Sequence, residues 1–175
     1  SSEFVDHEYE HDSRSIALYG LSVGGALTFQ SAGLNKRVKG IIGMTFMDMR
    51  IQSVADKSCR NLLISRVGAP MAAAMDSIGL GWFKMPMPIA GRMSALVNNP
   101  KALHACMQDK TSADSWVSMK FTADFTTHKP AKEPAEFDTS PILLTQPGQD
   151  RWTPLWVAEA VLKDVTTVPL KTVQL

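Results

Sequence analysis

The chain has 175 residues, 45% hydrophobic and 20% charged, the balance of a globular protein and not of a disordered one. Eighteen basic residues against 17 acidic ones leave a formal charge of +1, so no basic footprint points to nucleic acid or to an anionic membrane. No run reaches the ~18 apolar residues of a membrane span, which excludes stable membrane insertion through a helix.

The opening "SSEFVDHEYEHD" is too acidic for a secretory signal, and suits a chain cut from a longer one. His7 and His11 within it form H-x-x-x-H at helical spacing, a pattern that holds a metal on one helix face. In so polar a stretch it reads as a solvated acidic turn, and no metal site is expected. Cys59 and Cys106 lie far apart without metal spacing and read as buried free thiols of a reducing compartment, with a structural disulfide as the alternative; the localisation is open, the cytoplasm being favoured.

"SIALYG" is a short apolar run closed by glycine, the length of a buried strand. "VGGALTFQSAG" follows as a helix, with Gly33 as its stop. "VKGIIGMTFM" is a second buried strand. Some 90 residues of methionine-rich, mostly helical text come next. Within them "NPKALHACMQDK" has Asn99 as N-cap and Pro100 in the first turn, and "SADSWVSMKFTADF" reads as a helix capped by Ser112. The proline-rich loop "THKPAKEPAEFDTSP" leads to a third strand, "PILLTQPG". "TPLWVAEAVLKD" predicts a helix with Thr153 as N-cap and Pro154 at its first position, and "LKTVQL" a fourth strand. The order of elements is that of an α/β protein with a mostly parallel sheet.

Gly20-Leu21-Ser22-Val23-Gly24 is a G-x-S-x-G placed between a strand and a helix. That context is the one a nucleophile elbow requires. Glycines lacking Cβ let strand and helix approach closely, and the serine stands at the helix N-terminus. There the Val23 N–H and the helix dipole favour negative charge developing on an attacked carbonyl, which makes Val23 the candidate oxyanion donor. The alternative for Ser22 is a plain helix cap in a βα turn.

"IALYGLSVGGALT" resembles the elbow of the α/β-hydrolase fold, and "PILLTQPGQDRWTP" resembles the same family's seventh strand with its acid loop. The resemblance covers essentially the whole chain and is greatest to capped serine hydrolases of the monoacylglycerol-lipase and serine-aminopeptidase type. It implies strands 5 to 8 of that sheet, with residues 1–50 as the first part of the core. Residues 51–138 would be a helical cap inserted between strands 6 and 7, and residues 139–175 the second part of the core. It makes Asp150, past the third strand, the acid that orients a histidine base. Asp48, after the second strand, is its rival. Asp150 also reads as a cap or an Arg151 partner.

The base is missing from this pattern. The family order is serine, acid, histidine, yet His7, His11, His104 and His128 all precede Asp150. Either the chain is an internal piece whose base follows Leu175, or it is complete and a non-catalytic binding module that keeps the hydrolase shape. Met71, Met75, Met85, Met87 and Met93, with Trp82 and Phe83, suggest a flexible apolar lining for an acyl chain; core packing is their other reading. The leading activity is cleavage of a small-molecule carboxylic ester through an acyl-enzyme, and peptidase or thioesterase chemistry uses the same machinery. No phosphate-binding, dinucleotide or zinc motif appears, so no cofactor is implied. Oligomeric state is open.

Overall fold

The computed structural model describes residues 2–175, which divide into two compact units. The first comprises residues up to Met47, Lys129–Gln149 and Pro154–Leu175; the second comprises Asp48–His128 and Asp150–Thr153.

The first unit holds β1 (Ile16–Leu21), β2 (Val38–Met44), β5 (Ile142–Gln146) and β6 (Leu170–Gln174), which form one sheet in the order β1-β2-β5-β6. Every pairing is parallel, with Leu18 opposite Ile41, Ile42 opposite Leu143 and Leu144 opposite Thr172. The four strands expected from the sequence are therefore these four. Strands buried between neighbours read as nearly unbroken apolar runs, and "GIIGM" and "ILL" have that look. The core collects Val38, Ile41, Phe46, Ile142, Leu144 and Leu162, and Phe29 stacks on Phe137 with ring centroids 4.2 Å apart.

Helix α2 (Val23–Leu34) buries Gly25, Thr28, Phe29 and Ala32, spaced i, i+3, i+4, i+7 along one face. Its polar buried groups bond locally: Thr28 Oγ1 donates to the Gly25 carbonyl at 2.7 Å and Ser31 Oγ to the Leu27 carbonyl at 2.8 Å. The helix runs through Gly33, contrary to expectation, and stops at Asn35, whose extended backbone (φ −129°) breaks the spiral. Asn35 is also the anchor for α1 (Ser2–His11). Its buried amide donates to Asp6 Oδ1 at 3.0 Å and to the Ser2 carbonyl at 3.2 Å, while Arg37 Nη1 meets Asp6 Oδ1 at 2.9 Å and its guanidinium lies over the Tyr9 ring. The segment expected to be a solvated turn is thus a helix, docked through buried Val5 and this polar clasp. Helix α8 (Leu155–Leu162) has Pro154, not Thr153, at its N-cap.

The second unit contains α3 (Gln52–Ser58), α4 (Leu62–Ser77), β3 (Lys84–Pro86), α5 (Met87–Ala90), α6 (Pro100–Gln108), β4 (Trp116–Ser118) and α7 (Met119–Thr127). Asn61 caps α4 by accepting from the Ile64 N–H at 2.9 Å, and α4 continues through Pro70. Asn99 caps α6 as expected, accepting from Lys101 N at 2.9 Å. The expected Ser112 cap is replaced by Ser118, which accepts from Phe121 N at 3.1 Å, because Trp116–Ser118 pair antiparallel with Lys84–Pro86 before the helix begins. Helices α4 and α7 meet over Ala72, Met119 and Ala123. Asp56 of α3 binds α4 by accepting from Arg66 Nε (3.0 Å) and Nη2 (2.7 Å) and from the Ser65 hydroxyl. Among the described residues no helix is long and apolar enough to cross a membrane.

Candidate active site

Ser22 occupies the corner between β1 and α2 with φ 57° and ψ −124°, a conformation that L side chains rarely adopt. It holds the position through its backbone: Ser22 N donates to the Met44 carbonyl at 2.8 Å, and Gly25 N to the Ser22 carbonyl at 2.8 Å. It is the N-cap residue of α2, and its side chain makes no capping hydrogen bond. Within its unit, among the described residues, the hydroxyl bonds to nothing. Val23 begins the helix, where the N–H has no intrahelical acceptor.

The glycines around the serine differ in role. A Cβ on Gly20 would lie 2.1 Å from the Gly24 carbonyl oxygen, and one on Gly25 would lie 2.1 Å from the Thr45 carbonyl oxygen; around Gly24 there is nothing within 4 Å. The close approach is therefore enforced at Gly20 and Gly25, the latter outside the five-residue pattern. Thr45, at the exit of β2, shares the strain with φ 74°. It is buried, and its hydroxyl lies 3.4 Å from Oε1 of fully buried Gln146 at the end of β5. Sequence reasoning missed both: "GMTFM" carries no asparagine or glycine to announce a left-handed residue, and Gln146 reads as a polar strand end.

Asp150 and Asp48 belong to the second unit. Asp150 closes a turn on itself: Oδ1 accepts from Trp152 N at 2.9 Å and Thr153 N at 2.8 Å, while Oδ2 accepts from Thr153 Oγ1 at 2.8 Å. Thr153 spends its hydroxyl here, which is why it does not cap α8. Arg151 turns away from Asp150 to the Ser94 and Val97 carbonyls. Asp48 is held by Arg50, whose Nη2 reaches Oδ2 at 2.6 Å and whose Nε lies 3.0 Å from both oxygens.

The four histidines are exposed. His7 and His11 lie on α1, with His11 Nδ1 2.9 Å from the His7 carbonyl; His104 lies on α6, and His128 ends α7. The expected apolar lining is not one surface. Met93 is buried, Met75 and Met85 pack on the Ala72–Met119–Ala123 cluster, and Met71, Trp82 and Phe83 are exposed. Both cysteines are free and half-buried. Burial, with Asp56 nearby, pushes the Cys59 thiol up, so it stays protonated at neutral pH and is no rival nucleophile.

No protein-family model matches the chain, and no curated protein sequence matches it. Solved structures do. The monoacylglycerol lipase of Paleococcus ferrophilus superposes with a TM-score of 0.65 at 16% identity, over 99% of this chain and 63% of that one. A soluble variant of monoglyceride lipase from Saccharomyces cerevisiae, in complex with a substrate analogue, gives 0.66 at 14% identity, over 99% and 58%. The α/β hydrolase GrgF from Penicillium sp. sh18 gives 0.63 at 16% identity, over 98% and 60%. The chain thus has the α/β-hydrolase fold, and it spans about three fifths of the length of the solved structures it matches.

Proposed function

We propose that the chain carries the nucleophile and acid of a serine hydrolase that cleaves carboxylic esters. One observation carries this reading: Ser22 is held in a left-handed corner at a helix N-terminus with its hydroxyl uncommitted, between Gly20 and Gly25, where an added Cβ would lie 2.1 Å from a backbone carbonyl oxygen. Strain of this kind persists where the surroundings over-determine it, and it concentrates at reactive sites. Fold likeness to two lipases supports the ester as substrate class.

In the proposed reaction Ser22 Oγ attacks the ester carbonyl as a base takes its proton. The Val23 N–H, at the positive end of α2, meets the oxyanion. The tetrahedral adduct collapses to an acyl-enzyme, and the alcohol leaves with the proton. Water then repeats the sequence and releases the acid. Asp150 suits the acid because three hydrogen bonds fix its carboxylate. Asp48 is the poorer choice, its oxygens being bound to the Arg50 guanidinium. The base is proposed to be a histidine in a part of a longer protein that this chain does not span.

The test is labelling of the protein from its natural source with a fluorophosphonate, followed by peptide mapping. Label on Ser22, lost in Ser22→Ala and slowed by about 10²-fold or more in Asp150→Asn, is expected. Label on another residue refutes the assignment. Absence of label, with a ligand still bound, makes the protein a binding module.

A further inference from the structure

The second unit has an open cavity of about 660 Å³, lined by residues 56, 59–62, 88 and 91–94 with Met107 of α6. A single antiparallel bridge, Cys59 with Gly91, joins the two walls. Arg60 N donates to the Ala90 carbonyl at 3.1 Å, and Arg92 N to the Ser58 carbonyl at 3.0 Å. Arg60 and Arg92 are therefore diagonal neighbours across the bridge, within ~7–8 Å of each other by their backbones. Both line the cavity.

Their situation is unlike that of the other arginines of this unit. Arg50 is paired with Asp48, Arg66 with Asp56, and Arg151 with the Ser94 and Val97 carbonyls. Arg60 has one long contact, 3.4 Å from Nη1 to the Pro88 carbonyl, and among the described residues the Arg92 side chain has none. The one carboxylate among the described residues on the wall is Asp56, which Arg66, Ser65 and Gln52 already occupy. Two like charges share a concave space with nothing to balance them, an arrangement that favours an incoming anion.

We propose that the Arg60–Arg92 cavity binds a phosphate-type oxyanion, the charged group of a phosphomonoester. Each guanidinium presents a planar fork that fits phosphate bidentately, and a dianion matches the two charges. The volume exceeds that of a bare ion, and Leu62, Met93 and Met107 supply apolar wall for an organic body. The site is independent of the Ser22 reading, so Ser22→Ala binds as the wild type does.

Titration calorimetry tests it with inorganic phosphate, glycerol 3-phosphate and uncharged glycerol. A parallel arm sediments the protein with phosphatidylcholine vesicles with and without phosphatidic acid. Saturable binding of glycerol 3-phosphate but not glycerol is expected. Arg60→Gln and Arg92→Gln each weaken it about tenfold or more, whereas Lys84→Gln on β3 leaves it unchanged. A soluble ligand gives binding in the first arm alone. A lipid headgroup adds arginine-dependent sedimentation with phosphatidic acid. Should a glutamine variant lose its circular dichroism spectrum, Arg→Lys keeps the charge without the fork and is expected to bind at an intermediate level. No saturable binding in either arm, or folded arginine variants that bind as the wild type does, overturns the proposal.

Discussion

Alanine at Gly24 and at Gly25, one residue apart in the same helix, should have opposite effects. At Gly25 the new methyl group would stand 2.1 Å from the Thr45 carbonyl oxygen, where ordinary contact begins at 3.4 Å. Either the first turn of α2 or the exit of β2 must then move by about 1.3 Å, and both are pinned, by the Ser22 N–Met44 O bond and by the strained Thr45. Overpacking against backbone costs about 1–3 kcal/mol, with the upper end expected here because a carbonyl cannot rotate aside as a side chain does. At Gly24 the methyl meets nothing within 4 Å, and removing glycine from a helix contributes about 0.5–1 kcal/mol. The two variants should differ by roughly 2–4 kcal/mol, or ~4–16 °C in melting temperature for a chain of this size. Thermal melts followed by near-ultraviolet circular dichroism measure the difference. Coincident melting of the two variants would refute the packing account of the elbow and leave the G-x-S-x-G pattern without its physical basis.

Two further perturbations address the units separately. Asn35→Ala removes the amide that clasps α1, and its buried bonds to Asp6 and Ser2 make a loss of about 1–3 kcal/mol, read as faster hydrogen exchange over residues 2–11, the expected result; unchanged exchange there would mean that Val5 and the Arg37 contacts to Asp6 and Tyr9 suffice to dock the helix. In the second unit, hydrogen bonds from Arg66, Ser65 and Gln52 hold the Asp56 carboxyl well below the usual carboxylate range. A folded-state pKa below the unfolded one gives stability that is present above the ordinary value of 3.8 and lost as pH falls below it. Melting of the wild type should therefore decline below about pH 4.5, and Asp56→Asn should melt lower at pH 7 and decline less; parallel curves would show that the carboxylate holds α3 to α4 only weakly.

Where the sequence was informative, the signal was local. Strands β1 and β5 are short apolar runs closed by glycine or by Pro147-Gly148, and Asn99 announces α6 because an N-cap acts within three residues. The elbow was readable for the same reason, as strand, serine and helix are contiguous. What escaped depends on distant partners. Helix α1 has a single buried apolar residue, Val5, and so no stripe to read; Asn35, 29 residues beyond Asp6, holds it. The hairpin of β3 and β4 has three pairs whose partners lie 30 or more residues apart, and it shifts the start of α7 from Ser112 to Ser118. Gly33 lies inside α2, which ends one residue before Asn35, and Thr153 did not cap α8 because Asp150 takes its hydroxyl. The methionines looked like a binding surface because flexible apolar side chains serve a core equally well.

The sheet order also sets a sequence of events in time. Leu18 on β1 pairs with Ile41 only 23 positions away, whereas Ile42 on β2 pairs with Leu143 across 101. Loop closure over the longer span costs about 1.3 kcal/mol more, close to tenfold in rate if the intervening chain is unstructured. The intervening residues 48–128, however, form a compact unit whose helices are built from near neighbours. Once its helices have formed, fewer free residues separate β2 from β5 along the chain. Growth of the sheet from two strands to four is then timed by the maturation of the insertion, and a destabilised insertion would leave β1 and β2 as an unfinished pair with an open edge, the species a chaperone would meet first.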